Sequence, residues 1–488
     1  MNSRIALIRP DLDEVRAGLA RLVRIPPAQP RPEAVAAYER WFEQRCPASR
    51  AAAAAAADVI AGGTHHSLPV NVPFPLRIDR AAGPHVWDAD GNRYIDFIQA
   101  AGASLLGAGD ETVREKVKSV LDECGPSLGL LHRYEIALAR LVREYMPAVQ
   151  RFRMTTSGTE AAMAAVRVAR AYTGAAHVVK FGGAYHGWSD QLVYGLNAPG
   201  TQRRSAGGIP AQVQALTHEV APGDLDALRS LLAANAESGG TAAVFVEPLG
   251  PQSGTLPLDP DYLGGVRELC REFGALFVVD EVVTGFRLGL GGVHGQLGLN
   301  PDLVLLGKCV AASYPAAGAL GGRAEVMAAI GSGTGSSALV IGTLSANPLS
   351  CAAGYFGLLE MARTDAPARA ANAGDLLRTG LRRLLANYEL PYVTYNFGSI
   401  VHLHTAGLYH LSVDRPDFAE QLAARRTATI RLIQGCAAEG LLLSATGRLF
   451  VSATHSDRVV ADALDRFDRV FATVRKTHDL PTDTHSGR

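Results

Sequence analysis

Four unbroken apolar runs constrain this chain more than any other feature. HVVKF (177–181), TAAVFVEP (241–248), ALFVVDE (275–281) and PDLVLLGK (301–308) do not alternate apolar with polar residues. A strand with one face in water alternates, so a run that is apolar at every position belongs to a sheet covered on both faces. Between the runs lie stretches with helical periodicity. Strands that alternate with helices build βαβ units around a parallel sheet. The expected fold class is therefore α/β, with a large domain built on a mostly parallel sheet.

The flanks read differently. Residues 11–57 are helical in two pieces split by RIPPAQPRPEA, and Tyr38, Trp41 and Phe42 give this arm an apolar stripe that would pack on the body or on a partner subunit. PLRIDRAAGPHVWDADGNRYIDF (75–97) reads as short strands joined at the DADGN turn. Residues 110–147 are helical. After about 350 come a long helical stretch, the strands SIVHLHTA (399–406) and RLFVSAT (448–454), and a last helix to about 476. The expected domains are an N-terminal helical arm at 1–58, the first part of a small domain at 59–110, a large domain at 111–350, the C-terminal small domain at 351–476 and a polar tail at 477–488.

Composition excludes several classes. With 48% hydrophobic and 19% charged residues, the chain can bury a large core and is not wholly disordered. Lys+Arg 47 against Asp+Glu 47 leaves no basic field for nucleic acid. No apolar run approaches the roughly 20 residues of a membrane helix, and the opening MNSRIALIRPDLDEVRAG lacks the apolar core of a secretion signal. The six cysteines (46, 124, 270, 309, 351, 436) form no CxxC pair, so neither a disulfide framework nor a metal site is expected, and the localisation expected is cytoplasmic.

Only five of the 47 basic residues are lysine: Lys116, Lys118, Lys180, Lys308 and Lys476. Where Arg is the default cation, a retained Lys points to chemistry that a permanently protonated guanidinium cannot do, such as Schiff-base formation. Lys308 follows four apolar residues and a glycine and enters a stretch of small, uncharged residues. It is either desolvated with a lowered pKa or covalently engaged, or its head reaches out to water. Asp280 ends another apolar run, at the strand terminus where open α/β sheets bind ligands. A carboxylate there needs a partner, such as a protonated ring nitrogen or the main chain of the following segment.

Three further segments fit a phosphorylated ring. In TTSGTEAAMAAVRVAR (155–170), Ser157, Gly158 and Thr159 precede a helical run whose N–H groups suit a phosphate, or serve as an ordinary helix cap. In FGGAYHGW (181–188), Tyr185 can stack on a flat ring beside His186. In GTLSANPLSCAAG (342–354), Thr343 can donate to a phosphate. A phosphate anchor, a stacking aromatic and a strand-end Asp and Lys 28 residues apart form the apparatus for pyridoxal 5'-phosphate, with pyridoxamine 5'-phosphate as its aminated form.

The segments WDADGNRYIDF, SGTEAAMAAVRVAR, KFGGAYHGW, VEPLGPQSG, DEVVTGFRLG, PDLVLLGK, GALGGRAEVM and GTLSANPLS together resemble the class III, fold-type I aminotransferases, in the glutamate-1-semialdehyde 2,1-aminomutase-like branch. The resemblance spans roughly 60 to 475. It implies a seven-stranded large-domain sheet and a smaller α+β domain from both chain ends. It implies that Lys308 forms the Schiff base, that Asp280 pairs with the pyridine nitrogen, and that Tyr185 and Val282 cover the two ring faces. Gly158 and Thr159 would hold the phosphate with Thr343 of the other subunit of a homodimer, and Gln252 would lie near the ring hydroxyl. Glu247 and Glu281 lie close by in the motifs.

This chain also departs from the pattern. Relatives often carry a carboxylate-gripping Arg after the early GG segment; GGTHHSLPVNVPF (62–74) has none, and His65, His66 and Ser67 stand there instead. IQAAGASLLG (98–107) is small and neutral where the aminomutase has an aromatic, which suggests a roomier pocket. His132, Arg133 and Glu247 are further candidate substrate contacts, although the first two also read as charges at a helix start. The reaction expected is amino transfer between an amine or amino acid and a carbonyl compound other than glutamate-1-semialdehyde. The alternative is an aminomutase or amino-acid epimerase using the same lysine.

Overall fold

The computed structural model describes residues 9–66, 71–193, 195, 206–331, 337–412 and 414–474. Two compact units divide them. The first comprises the described residues of 1–12, 100–371 and 397–399, and the second those of 13–99, 372–396 and 400–488.

The first unit is built on a seven-stranded sheet. Its strands are β1 (Arg151–Thr155), β2 (His177–Phe181), β3 (Thr217–Val220), β4 (Thr241–Val246), β5 (Leu276–Asp280), β6 (Leu303–Gly307) and β7 (Gly318–Gly322), in the spatial order β1-β7-β6-β5-β4-β2-β3. All run parallel except β7, which is antiparallel to both β1 and β6. The four apolar runs lie at the middle of this order, and every residue of β2, β4, β5 and β6 is buried. Along β4, Ala243 and Phe245 join one core cluster while Val244 and Val246 join another, so the sheet is covered on both faces.

Helix α1 (Gly158–Thr173) shows why such a covering helix forms. Ser157 caps its start, Gly174 ends it in a left-handed turn, and Ala161, Ala165 and Ala169 are fully buried on its inner face. Alanine combines high helix propensity with a side chain small enough for close packing. The glycine-rich β7 gives no strand signal in the sequence. Small residues are required there, because a Cβ on Gly318 would stand 2.1 Å from the Ser157 carbonyl oxygen and one on Gly321 2.5 Å from Val149.

The second unit holds the helices Leu12–Leu22, Pro32–Arg45 and Pro47–Val59, two small sheets and the helices Phe418–Ala438 and Asp457–Phe471. DADGN is a turn between His85–Asp88 and Arg93–Asp96, with the Asp88 carboxylate accepting from Asp90 and Asn92 N–H. The apolar stripe of the arm is partly absorbed within this unit: Tyr38 and Phe42 are buried, and the Tyr38 hydroxyl bonds Thr473. Residues 351–371 lie in the first unit. Helix Pro348–Arg363 explains this, since it is rich in Ala and Gly and a Cβ on Gly354 would stand 2.2 Å from the Val310 carbonyl oxygen. Among the described residues, no helix is long and apolar enough to cross a membrane.

Candidate active site

The site grows from the carboxyl edge of the sheet. β5 ends at Asp280 and its parallel neighbour β6 ends at Gly307, with Asp280 in register with Leu305. Lys308 is therefore the first residue beyond the strand that flanks Asp280. It opens a short 3-10 turn with φ +49° and its N–H donates to the Ala317 carbonyl at 3.2 Å. A left-handed lysine is held there only when its surroundings determine it, and such residues concentrate at functional sites.

Asp280 is 6% exposed. Its Oδ1 accepts from the Val282 N–H at 2.9 Å, and its Oδ2 pairs with His186 Nδ1 at 2.7 Å. The main-chain reading of this residue holds, since one oxygen braces the segment after the strand, and the other oxygen is taken by the His186 ring. His186 is buried, tilted against Phe245 with ring centroids 5.7 Å apart, and its Nε2 has no hydrogen-bond partner among the described residues. A buried orphan nitrogen of this kind calls for an explanation, and a functional site is one.

Tyr185 stands on the loop after β2. It is 44% exposed, and its hydroxyl is hydrogen-bonded to Thr159. Burial of the remainder of the side chain pushes the phenol pKa up. Glu247, at the end of β4, organises this loop. Its Oε1 accepts from the Tyr185 and Gln252 N–H groups at 3.0 and 2.9 Å, and its Oε2 from Ser253 N–H at 2.6 Å. Burial raises its pKa, opposed by His186 and reinforced by Asp280.

At the start of α1, the Ser157 hydroxyl accepts from Glu160 N–H at 3.2 Å, and the Glu160 carboxylate accepts from Thr156 N–H at 2.7 Å. The cap thus uses Ser157, while the N–H groups of Gly158 and Thr159 at the first helical positions have no partner within the helix. Small residues surround them. A Cβ on Gly158 would lie 3.0 Å from both Val282 methyls, one on Gly307 2.9 Å from Val282 Cγ1, and one on Gly187, at φ +90°, 2.6 Å from Thr159 Oγ1.

Not every residue expected at the site faces a ligand. Glu247 was expected to contact substrate, but its oxygens accept from the main chain. Gln252 is buried with φ +56°, and its amide donates to the Gly183 carbonyl at 3.1 Å. Glu281 is fully buried, bonded to the Thr284 hydroxyl and to His294. His132 caps helix Arg133–Tyr145: its Nδ1 accepts from Glu135 N–H at 3.4 Å and its Nε2 donates to the Ala346 carbonyl at 2.7 Å. Arg133 is exposed and pairs with Glu123 and the Tyr134 hydroxyl. This pair takes the helix-start alternative. Thr343 is exposed in a turn. His65 and His66 are exposed in the second unit, and Ser67 lies outside the described residues.

Two buried cations of the first unit were missed. Lys180 is fully buried and donates to the Ala184 and Leu192 carbonyls; burial lowers its pKa to about 8, with Glu219 and Glu247 pulling upward. Arg287 is fully buried and donates to the Gly102 carbonyl and the Ser399 hydroxyl. The scarcity of lysine was a signal for the first; nothing in the sequence marked the second.

A lysine beside a strand-end carboxylate, an exposed aromatic face and two helix-start N–H groups among glycines fit pyridoxal phosphate, and with a mostly parallel seven-stranded sheet they define a fold-type I enzyme of that cofactor. The family description "Aminotransferase class-III" matches residues 67–471. The chain belongs to this pyridoxal-phosphate-dependent family of enzymes, whose substrates are small amines and carbonyl compounds. It is 38% identical over 410 residues to a glutamate-1-semialdehyde 2,1-aminomutase of Anaeromyxobacter sp., covering 82% of this chain and 92% of that protein. Among solved structures, a β-phenylalanine aminotransferase from Variovorax paradoxus shares 32% identity with TM-score 0.77, over 90% of this chain and 97% of that one. An omega-transaminase from Sphaerobacter thermophilus shares 29% identity with TM-score 0.78, over 88% and 99%.

Proposed function

We propose that this protein is a transaminase that moves an amino group between an amine or amino acid and a carbonyl substrate, and that Lys308 is its proton carrier. The observation that carries this reading is the placement of Asp280 and Lys308 at the ends of adjacent parallel strands, with Asp280 held by His186. When bound, pyridoxal phosphate supplies an aldehyde that takes up the amine and a ring that absorbs carbanion electrons. Asp280 keeps a proton on the ring nitrogen, and His186 fixes the carboxylate for that task. Tyr185 covers one ring face and Val282 the other. The N–H groups of Gly158 and Thr159 hold the phosphate, joined by Thr343 of a second subunit in a homodimer. Lys308 Nζ would take the proton from the amine-bearing carbon of the substrate as general base and deliver it as general acid to the carbon that carried the cofactor's aldehyde.

The substrate is bulkier, or less simply carboxylated, than glutamate-1-semialdehyde. The missing arginine in 62–74 and the small, neutral segment 98–107 support this, as does the likeness to aminotransferases described for β-phenylalanine and as an omega-transaminase. The identity to a glutamate-1-semialdehyde aminomutase favours a second reading, an aminomutase, in which the amino group returns to the same carbon skeleton. Turnover of Lys308→Ala tests the role of the lysine: activity should fall by about 10²-fold or more, and normal turnover would refute it. Consumption of a separate carbonyl acceptor, one per product, separates transaminase from aminomutase.

A further inference from the structure

The loop after β2 carries Tyr185 and His186, and neither a strand nor a helix holds it. Its carbonyls therefore need other partners. Two of them, Ala184 O and Leu192 O, accept from the Nζ of Lys180 at 2.8 and 3.1 Å. These carbonyls bracket the segment that contains both rings.

The Ala184 carbonyl and the Tyr185 N–H are the two ends of one peptide unit. Lys180 binds the first, and Glu247 accepts from the second at 3.0 Å. The plane of that peptide is thus gripped at both edges by groups of opposite charge, and its orientation sets where the Tyr185 side chain leaves the backbone. His186, the next residue, reaches Asp280 at 2.7 Å. The acids facing Lys180 are Glu219 on the neighbouring β3 and Glu247 at the end of β4. Arginine, this chain's usual cation, would not serve as well: its planar fork is larger and less able to direct donors at two converging carbonyls than a compact ammonium.

We propose that Lys180 is a positioning residue for the cofactor ring, acting through the 184–185 peptide to place Tyr185 against the ring and His186 against Asp280. This rests on the ring-binding reading of the loop, and does not depend on whether the reaction is amino transfer or an aminomutase shift.

The test uses the full-length apoprotein and pyridoxamine phosphate, which binds without a covalent bond to lysine. Lys180→Met keeps the length and volume and removes the donors. Its dissociation constant, from protein fluorescence, should rise at least about tenfold. Amide exchange across 183–193 should quicken while β4 and β5 stay protected. In a double-mutant cycle, Tyr185→Leu should cost clearly less affinity in the Lys180→Met background than in the parent, because the ring is then already misplaced. If Lys180→Met does not fold, Lys180→Gln, which retains an N–H donor, is put through the same cycle with a smaller rise expected. An unchanged dissociation constant, or costs of the two changes that simply multiply, would overturn the proposal. Loss of turnover by Lys308→Ala with the cycle non-additive would leave both ideas standing; an additive cycle would remove this one alone.

Discussion

At the level of single residues, the proposed chemistry depends on Asp280 and its bond to His186. Asp280→Asn preserves shape and removes charge, so on the proposed reading the ring nitrogen would lose the group that keeps it protonated. The amine-to-cofactor half-reaction should slow by about 10²-fold or more, measured by stopped-flow absorbance, while pyridoxamine phosphate still binds. How legible such residues are depends on what they bind. Lys308 and Asp280 stand out because a scarce lysine and a carboxylate at the end of an apolar run are anomalies in themselves. Lys180 is just as scarce, but its partners are main-chain carbonyls that only the folded loop brings to it. His132 looks like a substrate ligand until Ala346, 214 residues away, occupies its Nε2.

At the level of elements, the N-terminus of α1 is capped by Ser157, and the anion site proposed there would use different groups. Ser157→Ala should cost about 1 kcal/mol in a urea titration and change cofactor affinity little, since on the proposed reading the phosphate would use the Gly158 and Thr159 N–H groups. Gly187→Ala should lower both. Its Cβ would press on Thr159, 2.6 Å from Oγ1 and 2.7 Å from Cα, from a backbone at φ +90°, so the melting temperature should fall and pyridoxamine phosphate affinity should fall at least about tenfold. The central strands were readable because burial on both faces leaves them apolar throughout. β7 was not, since its glycines answer to close packing, which a single sequence does not display.

At the level of the whole molecule, the first unit exposes large apolar residues on its loops: Leu128, Leu130, Leu131, Trp188, Ile341 and Leu344. Shared phosphate sites would require a second copy over Thr343, so light scattering should give twice the 51.5 kDa of one chain. Ile341→Asp should shift the population towards monomer and weaken cofactor binding with it. Stability should also depend on pH through the second unit. His404 is buried beside His410, His402 and Arg448, and burial holds its pKa well below 6.5. Below about pH 6.5 the unfolded histidine takes up a proton that the folded one refuses. Stability is therefore lost as pH falls through that value, and the loss in a thermal melt should be smaller in His404→Gln. The stacking of these histidines was not visible in the sequence, because it depends on which distant segments meet.

The most direct measurement is a single-turnover titration of the loaded protein with one amine donor and no acceptor. In a transaminase the visible absorption band should disappear in proportion to added donor, leaving one equivalent of carbonyl product free and pyridoxamine phosphate on the protein. No such change should occur in Lys308→Ala. A band that persists with every donor while a substrate is isomerised without any acceptor would contradict amino transfer.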